Sequence, residues 1–511
     1  MRKAVNPSSR GNRALPQSVA APIRGLNTED GLADMHPLDA LIMDNHFPRT
    51  SDVMLRKGFS NHVTGITGAV ETLMQYATGS SRKLFAAATT AIYDVTTSGV
   101  VGAAVLSSLT SARWQFANFG TAGGQFIILC NGSDTPVNYN GITWQTTPAI
   151  TGVTSANLIH VNPHKQRLFF IEKNTMNAWY LPVASIGGVA AKLDFSSLFP
   201  LGGHLMAMGT WTIDGGSGAD DYAVWISSEG EIAVYQGTDP ANSATWGLVG
   251  IYRIGKPIGR RCMVKLGGDL AIITYDGIVS LSKALRSVDT TKTVLSNKIR
   301  TALNALSIVH GAKFGWQVIQ FPSVNMLIVN IPILENSQIE QYVMNTITGA
   351  WCHFTKIYSY CLELFNEHVY FGTTGKVCKF WDTNADNGAP ITGEVKQAWS
   401  YFGRKGQLKK FNMVRPIILT DGVISPVIAM NIDFEDVSPT STPTFSASSE
   451  AAWDTSDWDI TPWTSSLIIQ KTWQSVTGLG YAGAFRIKMS SSSPQIYWAS
   501  TDYLFEGAGY I

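Results

Sequence analysis

The chain of 511 residues carries 38 basic and 37 acidic side chains, for a formal net charge of +1, and 45% of its residues are hydrophobic. This balance excludes a disordered chain and argues against tight wrapping of nucleic acid, which needs concentrated lysine and arginine. A charged fraction of only 15%, with 47 glycines and 15 tryptophans, is typical of a β-rich, loop-rich globular protein. We expect roughly two to four domains, because single cores stop growing near about 250–300 residues.

The N-terminal 60 residues fall into two segments. Residues 1–21 are polar, basic and contain proline, which predicts a mobile arm. Residues 22–60 form a second segment, in which Asp34–Pro37 can begin a short helix that ends near Asn45 and Pro48. The apolar face of that helix would hold Leu38, Leu41 and Ile42. The basic start is followed by no apolar core, so it does not predict a secretory signal.

Between residues 61 and 390 a pair of short apolar runs separated by a polar turn recurs. The copies start at Leu84, Phe126, Leu168, Ala223, Leu270, Leu327 and Val369, which by subtraction are 42, 42, 55, 47, 57 and 42 residues apart. A four-stranded propeller blade takes about 40–45 residues. The repeat therefore predicts an all-β chain with a β-propeller-like body of about six or seven blades. An ordinary large β-sandwich is the alternative.

The periodicity changes near Pro390, and residues 391–511 predict a C-terminal β-sandwich-like domain. A Ser/Thr/Pro-rich stretch, Asp436–Ser449, predicts an exposed loop. Three tryptophans then recur every five residues, which is neither a helix nor a strand period: Trp453, Trp458 and Trp463. Tryptophans in such a loop are suited to anchoring it on a neighbouring surface, so we predict that these three contact another subunit.

Apparent chemical motifs do not hold together. Gly250–Lys256 has the spacing of a phosphate-binding loop, but Pro257 stands where Ser or Thr would bind magnesium. Gly478–Gly483 lacks the strand–helix context of a dinucleotide site, and His160 and His164 have no further ligand nearby. The sequence therefore assigns no catalytic, cofactor-binding or metal residue. Two other features stand out: five isolated cysteines that predict buried thiols (Cys130, Cys262, Cys352, Cys361, Cys378), and a basic patch (Arg404, Lys405, Lys409, Lys410).

The segment between Gly25 and Gly58 carries a pattern of positions: Gly25-Leu-Asn27, Asp30, Leu32, Met35, Pro37-x-Asp39-Ala40, Asp44-Asn45, Pro48 and Val53-x-Leu-Arg56-x-Gly58. Related positions continue through Arg253–Pro257 and Asp269–Gly277 into the C-terminal part. Together they resemble the podoviral tail nozzle family, also called tail tubular protein B, of short-tailed bacteriophages. The resemblance covers most of the chain as scattered positions rather than as one invariant motif.

The resemblance implies a virion structural protein, not an enzyme, that is assembled in the bacterial host cytoplasm. Its subunits would form a hexameric ring with propeller-like bodies below the portal and adaptor, and genomic DNA would leave through the lumen without tight binding. Tail fibres are a further candidate partner. No run approaches about 18 apolar residues, so we expect no membrane insertion.

Residues 22–60 are the predicted docking segment for the adaptor ring. The apolar residues assigned to that contact are Leu26, Leu32, Met35, Leu38, Leu41, Ile42 and Phe47. Polar Asp39, Asp44 and Asn45 could fix register at its rim, because interfaces commonly pair an apolar centre with a polar edge. The rival interpretation is a structural collar that packs along the propeller.

Two other function classes stay open. A carbohydrate-active propeller enzyme, such as a sialidase or depolymerase, needs paired carboxylates or a tyrosine–carboxylate pair. It often shows Ser-x-Asp-x-Gly-x-Thr-Trp boxes, which this sequence lacks. A receptor-binding module or tail fibre on the same particle would use aromatic loops to stack on sugars. The N-terminal pattern favours the nozzle over both.

Overall fold

The structure is a computed structural model that describes residues 14–79, 81–214, 219–285, 294–442 and 467–510. The chain divides into two compact units. The propeller unit comprises Phe59–Met344 and Thr355–Asp382. The sandwich unit comprises Met1–Gly58, Asn345–Phe354 and Thr383–Ile511.

Strands dominate both units. In the first part of the chain they are β1 Leu15–Ala20, β2 Ala40–Asp44, β3 His46–Pro48, β4 Val53–Leu55, β5 Phe59–Ala77, β6 Arg82–Ala88, β7 Ala91–Asp94, β8 Gly99–Val100, β9 Gln115–Thr121, β10 Gly124–Cys130, β11 Val137–Tyr139, β12 Trp144–Gln145, β13 Ile150–Thr151, β14 Leu158–His164, β15 Arg167–Glu172, β16 Asn177–Tyr180, β17 Gly188–Val189, β18 Ala191–Asp194 and β19 Leu205–Asp214. A short 3-10 helix, Ser155–Asn157, precedes β14.

The remaining strands are β20 Ala219–Ser227, β21 Glu231–Gly237, β22 Trp246–Arg253, β23 Met263–Leu266, β24 Asp269–Thr274, β25 Gly277–Ser280, β26 Gln317–Phe321, β27 Met326–Leu334, β28 Gln338–Asn345, β29 Trp351–Phe354, β30 Cys361–Phe365, β31 His368–Phe380, β32 Ile391–Gln397, β33 Gln407–Thr420, β34 Val427–Ile432, β35 Ile468–Lys471, β36 Gln474–Gly480, β37 Gly483–Ser491 and β38 Ile496–Tyr510. The helices are α1 Leu281–Ala284 and α2 Arg300–His310, with 3-10 turns at Asn297–Ile299 and Pro322–Val324. No helix in these described ranges is long and apolar enough to cross a membrane.

The propeller unit is a closed ring of small antiparallel sheets. Five of them use strands that follow one another along the chain: β9–β12, β14–β16 with β18, β19–β22, β23–β25 and β26–β28. Two more share β5, which pairs with β31 beside β30 at one end and with β6 beside β7 at the other. The first strand of each sheet contacts the first strand of the next, in the order β5, β9, β14, β19, β23, β26, β30 and back to β5. The predicted all-β fold with a β-propeller-like body is thus confirmed.

Strand β5 closes this ring because it belongs to both the first and the last sheet. Its residues up to Ala69 pair with β31, and those from Val70 onward pair with β6. Gly65 and Gly68, with φ of +87° and +86°, lie just before this change of partner, in the irregular part of the pairing between β5 and β31. Such backbone angles cost a glycine little, so the turn in β5 follows from these two residues.

Six of the seven predicted hairpins are confirmed, and each joins the second and third strands of its blade. The seventh, predicted to join Val369–Gly372 to Val377–Trp381, is wrong, because one strand, β31, runs from His368 to Phe380 through both segments. The real hairpin joins β30 to β31 through Asn366 and Glu367, whose φ values of +47° and +64° suit a tight two-residue turn.

The sandwich unit contains two sheets. One has the order β3-β4-β38-β33-β35, with β1 added to β38 and β36 to β33. The other contains β29, β2, β32, β37 and β34. Phe485 on β37 contacts Trp498 and Tyr503 on β38, with ring centroids 5.6 and 6.5 Å apart, so the sheets face each other over an aromatic core. The predicted C-terminal sandwich therefore exists, and N-terminal strands complete it.

Two expectations for the N-terminal segments differ from the structure. The predicted helix after Asp34 is wrong: a turn leads into β2, whose residues Ala40–Asp44 pair with β32 because that register completes the second sheet. Within the predicted mobile arm, Leu15–Ala20 form a strand on Ser500–Phe505. Both differences arise from strand partners more than 300 positions away, which local patterns do not reveal. The five cysteines are buried and unpaired, as predicted.

Candidate functional site

A cavity of about 260 Å³ lies among the first strands of the propeller unit. All seven of these strands line it, each with a polar side chain: Thr72 on β5, Gln115 on β9, Asn162 on β14, Thr210 on β19, Lys265 on β23, Gln317 on β26 and Glu363 on β30. At about 30 Å³ per water molecule, this volume holds roughly nine waters. The central channel of one propeller is therefore too small for a nucleic-acid duplex.

A second cavity, of about 540 Å³, adjoins the first and shares Gln115, Arg260 and Arg261 with it. Five basic side chains line it: Arg113, Lys173, Arg260, Arg261 and Lys313. Among the described residues that line this cavity there is no carboxylate. We call it the basic pocket.

Two of the five cations are fixed by the protein itself. Arg261 donates hydrogen bonds to the carbonyl oxygens of Glu71 and Trp114 and to Thr72 Oγ1, at 3.1, 3.2 and 2.7 Å. Arg113 pairs with Glu71 at 3.0 Å, and both guanidinium groups lie over the ring of Phe314, at 4.2 and 5.1 Å from its centroid. These contacts preorganise two planar donors beside the pocket.

The other three cations have no carboxylate partner within the described ranges. The Arg260 guanidinium makes no hydrogen bond to any described residue and lines both cavities, and its burial, reinforced by nearby Arg113, lowers its pKa. Lys313 Nζ donates to the carbonyl oxygen of Ile333, at 2.5 Å, and is within hydrogen-bond distance, 2.9 Å, of His310 Nδ1. Lys173 is exposed at the rim.

One acid and one histidine stand out inside the channel. Burial raises the pKa of Glu363 to about 8, against the opposing effect of Arg261. Burial lowers the pKa of His160 to about 4, and its Nε2 lies 2.8 Å from the Met208 carbonyl oxygen. At neutral pH both groups are therefore mainly uncharged, which reduces the cost of placing them inside the ring.

The structure does not support a metal site formed by His160 and His164. His164 packs against the rings of Phe169 and Trp246, at 6.1 and 6.0 Å between centroids, rather than joining His160 at a common point. Within the described ranges, no three histidine, cysteine or acidic side chains gather closely enough to hold a metal ion.

The predicted docking residues occupy different environments. Leu26, Met35 and Phe47 are buried in the sandwich unit, with exposed fractions of 6, 5 and 4%. Leu41 packs on a small cluster with Trp399. Leu32 is 50% exposed. The remaining two, Leu38 and Ile42, are partly buried. Of the polar rim residues, Asp39 and Asn45 are buried as well.

Four of the positions that carry the family resemblance hold the N-terminal segment in place, and we call them the framework: Gly25, Asn45, Arg56 and Gly58. A Cβ at Gly25, where φ is +82°, would lie 2.4 Å from the Trp351 carbonyl oxygen, and one at Gly58 would lie 2.0 Å from that of Ala385. Arg56 has a completely buried side chain and is bonded to Asn45 and to Asp386, which lies 330 positions further along the chain. The pattern between Gly25 and Gly58 therefore contains residues that fix the N-terminal segment in place.

Two other sequence predictions can be located. Three residues of the basic patch, Arg404, Lys405 and Lys410, are exposed. The fourth, Lys409, is fully buried, and its Nζ donates to the carbonyl oxygens of Arg404, Gln407 and Tyr481 at 2.8–2.9 Å. The predicted subunit contacts, Trp453, Trp458 and Trp463, lie outside the described residues.

Sequence reasoning missed the basic pocket altogether. Its cations come from four separate places in the chain, and only the adjacent pair Arg260 and Arg261 was visible as a local signal.

Neither a protein-family model nor a curated protein matches the chain. Among solved structures, it is similar to the WD40 β-propeller domain of Doa1, with 9% identity, 63% of this chain and 96% of that chain covered, and a TM-score of 0.39. The β-propeller domain of Cps50 (Swd1) from Myceliophthora thermophila matches at 10% identity, 64% and 100% coverage and a TM-score of 0.40. An exo-β-1,3-galactanase from Phanerochaete chrysosporium matches at 9% identity, 78% and 97% coverage and a TM-score of 0.26.

Proposed function

We propose that this chain is a virion structural protein of a short-tailed bacteriophage and that it forms the tail nozzle ring through which DNA leaves the particle. The observation that carries the proposal is the framework between Gly25 and Gly58. The positions that resemble the nozzle family include residues whose size or charge the local structure demands: Gly25, Asn45, Arg56 and Gly58.

This coincidence supports the proposal because each of these residues has a long-range partner. Gly25 lies against the backbone of Trp351, Gly58 against Ala385, and Arg56 against Asp386. A pattern that falls on such contacts describes a constraint on the fold rather than a chance match in composition. The same unit, with its N-terminal strands in both sheets, is therefore expected throughout the family.

A conduit for DNA requires several copies around a common axis, since the channel of one propeller holds only roughly nine waters. A head-to-tail contact that repeats until it closes would make such a ring. Strand β22 offers an unpaired edge within the described part of the propeller unit, and Leu248, Val249 and Ile251 on it are 41, 49 and 42% exposed. Exposed apolar edge strands are sites of association.

A carbohydrate-active function is the less favoured alternative. Glycoside hydrolysis uses two carboxyl groups on either side of the scissile bond. In the described channel, Glu363 is the one carboxyl group among the residues that line the cavity, and the adjoining basic pocket has none. A substrate bound there would meet arginine and lysine rather than an acid–base pair.

Electron microscopy of purified phage particles carrying an antibody raised against this chain tests the proposal. We expect label at the distal tail and a sixfold ring in class averages, and incubation with the adaptor ring should yield a closed oligomer in native mass spectrometry. Label on fibres only, a monomer inside assembled particles, or release of reducing ends from host polysaccharide by the purified chain would overturn it.

A further inference from the structure

The basic pocket concentrates positive charge in a chain whose net charge is close to zero. Five cationic side chains line about 540 Å³, and among the described lining residues no acid faces them. Acidic groups compensate only part of this charge from outside the lining, because Glu71 and Glu335 both pair with Arg113. The charge of Arg260, Lys173 and Lys313 is left without a counterion from the described residues.

Arg260 is the clearest sign that the pocket is built for a ligand. A guanidinium group that is partly withdrawn from water, as that of Arg260 is, is commonly paired, since burial of an uncompensated charge is unfavourable. Arg260 instead lines the junction of the two cavities without a hydrogen bond to any described residue, and burial lowers its pKa. An anion in the pocket would satisfy it.

The shape and chemistry of the donors indicate which anion fits. Arg113 and Arg261 are held as planar groups over Phe314, and Lys173 and Lys313 also line the pocket. Planar guanidinium donors match the oxygen pairs of phosphate, and ammonium groups act as mobile point charges. The volume lies within the range of pockets that hold nucleotide-sized ligands.

We propose that the basic pocket is a binding site for phosphate groups that carry at least two negative charges, as in pyrophosphate or the phosphates of a nucleotide. Arg260 would contact the phosphate oxygens, Arg113 and Arg261 would form the stacked wall, and Lys173 and Lys313 would close the rim. The site is independent of the nozzle proposal, because it lies within one propeller unit and needs no second subunit.

The test is titration calorimetry of the full chain with sodium pyrophosphate. Wild type should bind it in the millimolar range or tighter, and Arg260→Gln should weaken binding by roughly tenfold or more, as expected for loss of a charged hydrogen bond. Lys173→Gln supplies a second variant at an exposed position, where folding is not at risk. Lys192→Gln is the matched control, since Lys192 is 46% exposed and paired with Asp194 outside the pocket.

A second titration with a short single-stranded oligonucleotide separates the two sources of phosphate. Tighter binding of pyrophosphate assigns the pocket to a free small ligand, and tighter binding of the oligonucleotide assigns it to the nucleic-acid backbone. Thermal melts monitored by circular dichroism verify that the variants are folded. Failure of wild type to bind either probe, or affinities of Arg260→Gln and Lys173→Gln equal to that of Lys192→Gln, would overturn the proposal.

Discussion

The guanidinium of Arg56 and the carboxylate of Asp386 form a bidentate ion pair inside the sandwich unit, with both nitrogen–oxygen distances at 2.7 Å. The Arg56 side chain has no exposed surface, and its Nε also donates to Asn45 Oδ1 at 2.8 Å. The pair thus connects the N-terminal segment to the chain just before β32. Because the buried guanidinium group is paired with Asp386, removing that carboxylate leaves its positive charge uncompensated.

Asp386→Ala should therefore lower the free energy of unfolding of the sandwich unit by about 3–5 kcal/mol, the usual cost of breaking a buried ion pair from one side. Urea denaturation followed by tryptophan fluorescence measures it. Asp34→Ala is the matched control, because Asp34 pairs with Lys405 at the surface, where the two side chains are 86 and 69% exposed. That change should stay within about 1 kcal/mol. Equal effects of the two variants would contradict the role given to Asp386.

Gly25→Ala should also destabilise the sandwich unit. The residue has φ of +82°, and an added Cβ would lie 2.4 Å from the Trp351 carbonyl oxygen, so strain and overlap together should cost about 2–5 kcal/mol. Gly31→Ala is the control, since no atom lies within 4 Å of its Cβ position. Differential scanning calorimetry should show a lower Tm for Gly25→Ala alone. An unchanged Tm for this variant would contradict the role given to Gly25.

The hairpins between the second and third strands of the blades could be predicted because their partners are close in sequence. Ala86 pairs with Tyr93 and Ile127 with Tyr139, across turns that composition reveals. Closure of the ring by β5 could not be predicted, since Gly65 and Gly68 permit a turn but do not reveal that the strand changes partner between Ala69 and Val70. In the same way, the basic pocket depends on cations such as Arg113 and Lys313, which only the circular order of the blades brings together.

Glu363→Gln should change the pH dependence of stability. The pKa of Glu363 is about 8 in the folded chain against 4.5 ordinarily, so between these values the folded state keeps a proton that the unfolded state releases. The free energy of unfolding of the wild type should therefore fall as pH rises through this window, by at most about 1.4 kcal/mol per pH unit from this group. The variant should lose that falling slope in urea melts between pH 6.5 and 8.

The upper part of the window isolates Glu363 from the buried histidines. Burial lowers the pKa of His46, His160 and His164 to about 4, so their contribution is present above the ordinary value of 6.5 and is lost as pH falls toward 4. Glu367→Gln, at an exposed turn of the same hairpin, is the control and should retain the wild-type slope. A slope in Glu363→Gln that equals that of wild type would show that the raised pKa is wrong.

Substitutions at Leu32 and Phe47 separate docking from internal packing in the N-terminal segment. Phe47→Asp should unfold or aggregate the sandwich unit, with a loss of about 3–5 kcal/mol, because the ring is only 4% exposed. Leu32→Asp should fold normally, since half of its surface is free, yet should no longer enter particles if the segment docks on the adaptor. Complementation of a phage lacking this protein measures particle entry. Normal incorporation of Leu32→Asp would leave the segment with a packing role only.

Val249→Asp tests the proposed ring contact at the edge of β22. The side chain is 49% exposed on a strand that no described strand covers, so a charge there should leave the folding of the propeller unit unchanged. In a closed ring, however, the carboxylate would be buried against the next subunit without a partner, and each of the repeated contacts would be weakened. Native mass spectrometry in the presence of the adaptor ring should therefore show the closed oligomer for wild type and mainly monomer for Val249→Asp.

Val183→Asp is the matched control, because Val183 is 53% exposed and lies outside the strands. Assembly of Val249→Asp to the same extent as Val183→Asp would exclude β22 as the ring contact.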